Sequence, residues 1–111
     1  MTTIKVYDLF GDFAVSDADG EILHKKIEHA LSTGEYVIVD FSNVETVLTQ
    51  FLNAAIATLY KDHSGDELRD KLEIRGLKST DSLRRVIARA KVFYSDEQKA
   101  KEIILEEDFY E

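Results

Sequence analysis

Tyr36-Val37-Ile38-Val39-Asp40-Phe41 is the stretch that decides the fold. It is β-branched and aromatic without polar alternation, the make-up of a strand covered on both faces, so it is expected at the centre of a sheet. Working back toward the N-terminus, Gly34 is placed to end a helix whose apolar residues Ile22, Leu23, Ile27, Ala30 and Leu31 recur at helical spacing. That helix has a start signal. The Ser16 hydroxyl is expected to cap it, with Asp19 three residues on as the acidic member of a capping box, near the positive end of the helix dipole. Before it, Ile4-Lys5-Val6-Tyr7-Asp8-Leu9 alternates apolar with polar residues, the period of a half-buried strand, and breaks at Gly11-Asp12. Phe13-Ala14-Val15 is expected to return as the second strand of a hairpin.

Beyond the central strand, Ser42 to Thr46 reads as a loop. A helix is predicted from about Gln50, with Phe51, Leu52, Ala55, Ile56, Leu59 and Tyr60 as its apolar stripe. Ser64-Gly65 interrupts the pattern, and Leu72-Glu73-Ile74-Arg75-Gly76-Leu77 alternates again as a strand. Ser79-Thr80-Asp81 then offers a cap to a helix carried by Leu83, Val86, Ile87, Ala90 and Phe93. Helices set between strands imply crossovers and a parallel sheet segment, to which the hairpin adds an antiparallel part. The expected fold class is therefore α/β: one domain over residues 1–94, with a mixed β-sheet of about four to five strands and helices packed against it. Ser95-Asp96-Glu97-Gln98 is a further capping box. With Ala100, Ile103 and Ile104 it predicts a C-terminal acidic helical extension over residues 95–111.

Composition narrows the function. The 111 residues suit one hydrophobic core, and 44 % apolar with 32 % charged residues is the balance of an ordinary globule. A net charge of −8 repels phosphate backbones and anionic headgroups, so neither nucleic acid nor a membrane surface is an expected partner. Arg84, Arg85, Arg89 and Lys91 gather locally, as the solvated face of a helix does. No apolar run reaches the ~18 residues of a membrane span, the first residues lack a signal-peptide layout, and no cysteine is present, so cytoplasmic residence is expected.

The central strand and the helix after it carry a resemblance. Val39-Asp40-Phe41-Ser42-Asn43-Val44 is similar to the Leu-Asp-Leu-Ser-Gly-Val strand end of STAS domains, the superfamily of anti-sigma-factor antagonists and transporter tails. It resembles more closely the bacterial STAS-like family of unknown function DUF4325, whose pattern is Asp-Phe, a short loop, then Ser-Phe-Leu-Asn/Asp-Glu opening a helix. Here that helix reads Gln50-Phe51-Leu52-Asn53-Ala54-Ala55-Ile56. Ile4 to Gly11, Gly20 and Leu72 to Leu77 are also similar, so the likeness spans about Ile4 to Phe93. What the resemblance implies is a regulatory module that docks a partner protein, such as a histidine-kinase-like ATPase or an anti-sigma-type regulator. In antagonist domains a partner kinase phosphorylates a serine at the start of this helix; here Gln50 stands there and accepts no phosphoryl group. Thr49 is the one hydroxyl beside it, expected mainly as the N-cap of the helix and secondarily as a phosphoacceptor. The family's acid after Leu-Asn/Asp is replaced by Ala54. Thr49, Gln50 and Asn53 are the expected partner-binding residues, with Phe51 anchoring the helix below them, and Gln50→Glu is expected to weaken docking without harming the fold.

Other chemistries find less support. His24 and His29 stand roughly 140° apart around one helix and do not readily share a metal. His63 has no second ligand at a fixed spacing and is expected at the solvated surface. Asp17, Asp19, Gly20 and Glu21 lack the glycine position and the final glutamate of a calcium loop, so capping accounts for them better. No nucleophile elbow, P-loop or dinucleotide-binding glycine pattern is present. No catalytic residue, metal or cofactor is therefore expected, and homo-oligomers are compatible with the sequence. Two alternatives stand beside docking: a small-molecule or nucleotide sensor using loops at the strand ends, and a carboxylate-based enzyme. Tyr94, Phe109 and Tyr110 are expected chiefly to pack the last helix and secondarily to serve as surface aromatics for a partner.

Overall fold

In the computed structural model, which describes residues 1–95, Val37–Asp40 forms β3, the middle strand of a three-stranded sheet. Its neighbours β1 (Thr2–Lys5) and β5 (Leu72–Arg75) both run parallel to it, with Ile4, Val39 and Ile74 in register. Val37, Ile38 and Val39 are all buried, as a run without alternation requires. The Tyr36 carbonyl accepts from the Thr2 amide and the Phe41 amide donates to the Arg75 carbonyl, so backbone pairing extends past both ends of β3.

The α/β class stands, but the expected hairpin does not form, and every strand pairing among the described residues is parallel. The alternating stretch stops being a strand at Lys5, and Val6–Phe10 closes into a short helix, α1. Val6 and Phe10 stand four apart and share its inner face, Val6 fully buried and Phe10 edge-to-face with Phe51, while Tyr7 and Leu9 face outward. A six-residue alternation is compatible with both structures; the Phe51 ring waiting below Phe10 selects the helix. Gly11, at φ 72°, turns the chain into β2 (Phe13–Ala14), which pairs in parallel with β4 (Thr46–Val47) as a separate two-stranded sheet.

Between β2 and β3 lies α2 (Asp17–Ser32), opened by the Ser16 hydroxyl accepting from the Asp19 amide at 3.1 Å, the expected cap. Leu23, Ile27, Ala30 and Leu31 are buried, whereas Ile22, counted into the stripe, is exposed. The single helix expected from Gln50 to Tyr60 divides into α3 (Thr49–Ala55) and a 3₁₀ helix (Ala57–Lys61). At the division the Thr58 hydroxyl donates to the Ala54 carbonyl at 2.8 Å, a back-bond that bends helices. The apolar stripe nevertheless stays inside from Phe51 to Leu59. A further helix, α4 (Gly65–Lys71), occupies the stretch read as a break, with the Ser64 hydroxyl accepting from the Glu67 amide. Ser-x-x-Glu is a capping-box spacing, so the signal was present in the sequence. Last, α5 (Asp81–Ser95) packs on the 3₁₀ helix and α3 through buried Leu83, Val86 and Ala90. The expected terminal helix carried by Ala100, Ile103 and Ile104 lies outside the described residues, as do Phe109 and Tyr110.

The core gathers around Phe41 and Phe51, whose rings meet edge-to-face at 6.2 Å, with Leu23, Ile27, Leu52, Ile56 and Leu59 about them. Gly20 lets α2 come close enough to α3 for this. A Cβ at Gly20 would lie 2.7 Å from both the Ala54 Cβ and the Phe51 carbonyl oxygen.

Candidate functional site

The start of α3 is positioned from both sides. Leu48 is extended and donates its amide to the Ala14 carbonyl, continuing the β2–β4 pairing, and its own carbonyl receives the amides of Phe51 and Leu52. That makes Leu48, and not Thr49, the N-cap. Thr49 is already helical, its hydroxyl makes no capping bond, and the expectation of a Thr49 cap is corrected accordingly: the cap is the last extended residue, and the β-pairing fixes where that falls. Phe51, fully buried, anchors the helix as expected.

Thr49, Gln50 and Asn53 are all exposed on the outer side of this short helix. Gln50 is not a free amide. Its Nε2 donates to the Val15 carbonyl at 2.6 Å, tying α3 to the segment between β2 and α2. A glutamate there would set a carboxylate against that carbonyl, so Gln50→Glu is not neutral for the local structure. Asn53 borders a groove of about 320 Å³ between α3 and α5, with Thr58, Val86, Arg89 and Phe93 on its walls.

Next to these polar residues the structure brings two that sequence reading passed over. In the β2–β4 pair Phe13 stands opposite Thr46, and Leu48 lies two residues beyond Thr46 on the same face. Phe13 is 56 % and Leu48 43 % exposed, so two large apolar side chains flank Thr49 and Gln50 on an outward surface. Asp12, Asp17 and Glu45 are exposed around them. The signal for Phe13 was its alternation with buried Ala14; for Leu48 only the pairing of β4 with β2 could have shown it.

At the carboxyl ends of the main sheet, the Asp40 Oδ1 accepts from the Ser42 amide at 2.9 Å, an Asx turn, and Asn43 follows at φ 72°. Hydrogen bonds from the Ser42 side chain and backbone, aided by the nearby Arg75 and Lys5 charges, hold the Asp40 carboxyl below the ordinary aspartate range. Gly76, at φ 83°, closes over this turn: a Cβ there would lie 2.5 Å from the Ser42 nitrogen and 2.7 Å from the Asp40 Oδ1. The Asp-Phe-Ser-Asn signature thus does structural work, shaping the turn that leaves β3.

The histidines differ from expectation. His63, read as a solvated loop residue, is only partly exposed and lies between two carboxylates, with its Nε2 2.7 Å from Glu28 of α2 and its Nδ1 2.6 Å from Glu67 of α4. His24 Nδ1 lies 2.9 Å from the Thr58 hydroxyl. Since that hydroxyl gives its one proton to Ala54, His24 is the donor and pins α2 to the 3₁₀ helix. Among the described residues no group of three histidine, cysteine or acidic side chains is arranged to hold a metal ion, the two glutamates beside His63 being on opposite sides of its ring. No described helix is long and apolar enough to cross a membrane.

A parallel three-stranded sheet, an Asx turn leaving its central strand and a buried phenylalanine on the helix that follows together define an α/β domain. Residues 19–82, more than half of the chain and reaching from α2 into α5, match the model of the STAS-like domain of unknown function DUF4325, and the chain belongs to that family. No curated protein and no solved structure gives a match.

Proposed function

We propose that this domain is a non-enzymatic, cytoplasmic regulatory module that docks a partner protein through the surface made by Phe13, Leu48, Thr49, Gln50 and Asn53. The observation that carries the reading is the pair of exposed apolar side chains flanking exposed polar residues at the start of α3, the place that the STAS resemblance implies for docking. A contact of that make-up, with an apolar centre and a polar rim, is the usual anatomy of a protein interface. Its acidic surround of Asp12, Asp17 and Glu45, on a chain of net charge −8, suits a partner with an apolar recess bordered by lysine or arginine. A histidine-kinase-like ATPase or an anti-sigma-type regulator is the partner class in keeping with the resemblance. With Gln50 in place of a phosphorylatable serine and bonded to Val15, the surface stays in one state, and binding is set by the amount or state of the partner.

The test is affinity capture from the native cell by the full chain, compared with the Phe13→Ser/Leu48→Asp double variant. Both sites are exposed, so the variant should melt within a few degrees of the parent. A protein recovered reproducibly by the parent and lost with the variant is the expected result, and an ATPase or regulator of that class would identify it. Equal recovery by both removes this surface from the interface, and phosphate on Thr49 in cells would show the switch displaced by one residue.

A further inference from the structure

Both ring nitrogens of His63 face carboxylate oxygens, Nε2 that of Glu28 and Nδ1 that of Glu67, at 2.7 and 2.6 Å. An ionised carboxylate only accepts hydrogen bonds, and a neutral imidazole has one N–H, so the neutral ring would set a nitrogen lone pair against an oxygen lone pair on one side. The arrangement is complete only for the imidazolium. It also joins elements distant in the chain, because Glu28 belongs to α2 while Glu67 belongs to α4. What it fastens is otherwise lightly held: α4 is seven residues long and Leu68 is its one buried residue. A short element with so little apolar burial opens at low free-energy cost.

We infer that Glu28, His63 and Glu67 form a pH-released clasp, in which protonated His63 ties α4 to α2 and deprotonation lets the segment from His63 to Lys71 move away from α2. The groups facing His63 are Glu28 from α2 and Glu67 from α4. Across the groove of about 240 Å³ that it lines stands Lys91 of α5, with Lys61, Asp62, Tyr60 and Tyr94 on the same walls. Opening of the clasp would widen this groove. Partial burial pulls the His63 pKa down, but the hydrogen bonds with Glu67 and Glu28 and the charges of both acids outweigh it and hold it above the ordinary imidazole value. The sign follows. A raised folded-state value means that the clasp contributes fully below about pH 6.5, the ordinary imidazole value, and is lost as pH rises through the higher one. The hydrogen bond from His63 holds Glu67 below the ordinary carboxylate range, so at the acid end the clasp is lost as pH falls through that lowered value.

Nitrogen-detected NMR of the imidazole rings from pH 5 to 9, with hydrogen exchange of the α4 amides corrected for intrinsic rate, tests this on the full chain. His63 should carry protons on both nitrogens below about pH 6.5 and should lose one only above the ordinary imidazole value. Protection of the Leu68, Arg69 and Asp70 amides should fall by about tenfold for each pH unit separating the His63 transitions of the closed and open states. The Leu23 and Ile27 amides of α2 should not follow. Glu28→Gln, a substitution on an accessible side chain, should lower the His63 transition and flatten the α4 profile. A His63 transition at or below the ordinary imidazole value, α4 protection that ignores the His63 transition, or a transition unmoved by Glu28→Gln would each overturn the clasp.

Discussion

Gly20→Ala tests the packing on which the site depends. In an open helix this change stabilises by about 1 kcal/mol, because alanine loses less backbone freedom on folding. At Gly20 the added methyl would meet the Ala54 Cβ and the Phe51 carbonyl oxygen, each at 2.7 Å, and the Ala55 nitrogen at 3.4 Å. Carbon atoms rest at roughly 3.5–4.0 Å, so α2 must back away from α3 by on the order of 1 Å. The Phe51 oxygen is backbone and cannot rotate aside. Moving α2 also loosens Leu23 and Ile27 from the core and disturbs the start of α3, which sets Thr49, Gln50 and Asn53. Because the clash is with backbone, the upper part of the usual overpacking cost applies, about 2–3 kcal/mol, and set against the propensity gain of about 1 kcal/mol it leaves a net loss of about 1–2 kcal/mol. Urea unfolding should show the midpoint falling by roughly 0.5–1.5 M at unchanged slope. Adding Ala54→Gly removes one of the two short contacts, so a double-mutant cycle should give partial rescue. A Gly20→Ala protein as stable as the parent, or more so, would refute the close approach of α2 and α3.

Two further substitutions probe the sheet. Val39→Asp puts an unpaired carboxylate on the fully buried central strand and should cost several kcal/mol, on the order of the whole stability of a small domain; unchanged thermal melting would disprove the burial. Gly76→Ala combines φ 83° with contacts of 2.5 and 2.7 Å to Ser42 and Asp40, and should destabilise by about 2–4 kcal/mol. Because it pushes the Asp40–Ser42 turn aside, it should also let the Asp40 pKa rise toward its ordinary value. A carboxyl titration by NMR that finds Asp40 unmoved would count against the role given to that turn.

The sequence by itself determined the α/β class, the family, the central place of Val37 to Val39, the Ser16 cap of α2 and the apolar stripe from Phe51 to Leu59. Each rests on interactions that are local or periodic: a hydroxyl reaches an amide three residues on, and a run covered on both faces needs no polar alternation. Only the tertiary structure decided what lay between alternatives of equal local merit. Val6 to Phe10 became a helix because Phe51 lies under Phe10, and β2 paired with β4 in parallel because the chain between them crosses over as α2 and β3. The outward surface of Phe13 and Leu48 and the contact of His63 with Glu28 each join residues about 35 positions apart. No periodicity in one sequence records such a pairing, since it is set by how whole elements pack and not by any residue's neighbours along the chain.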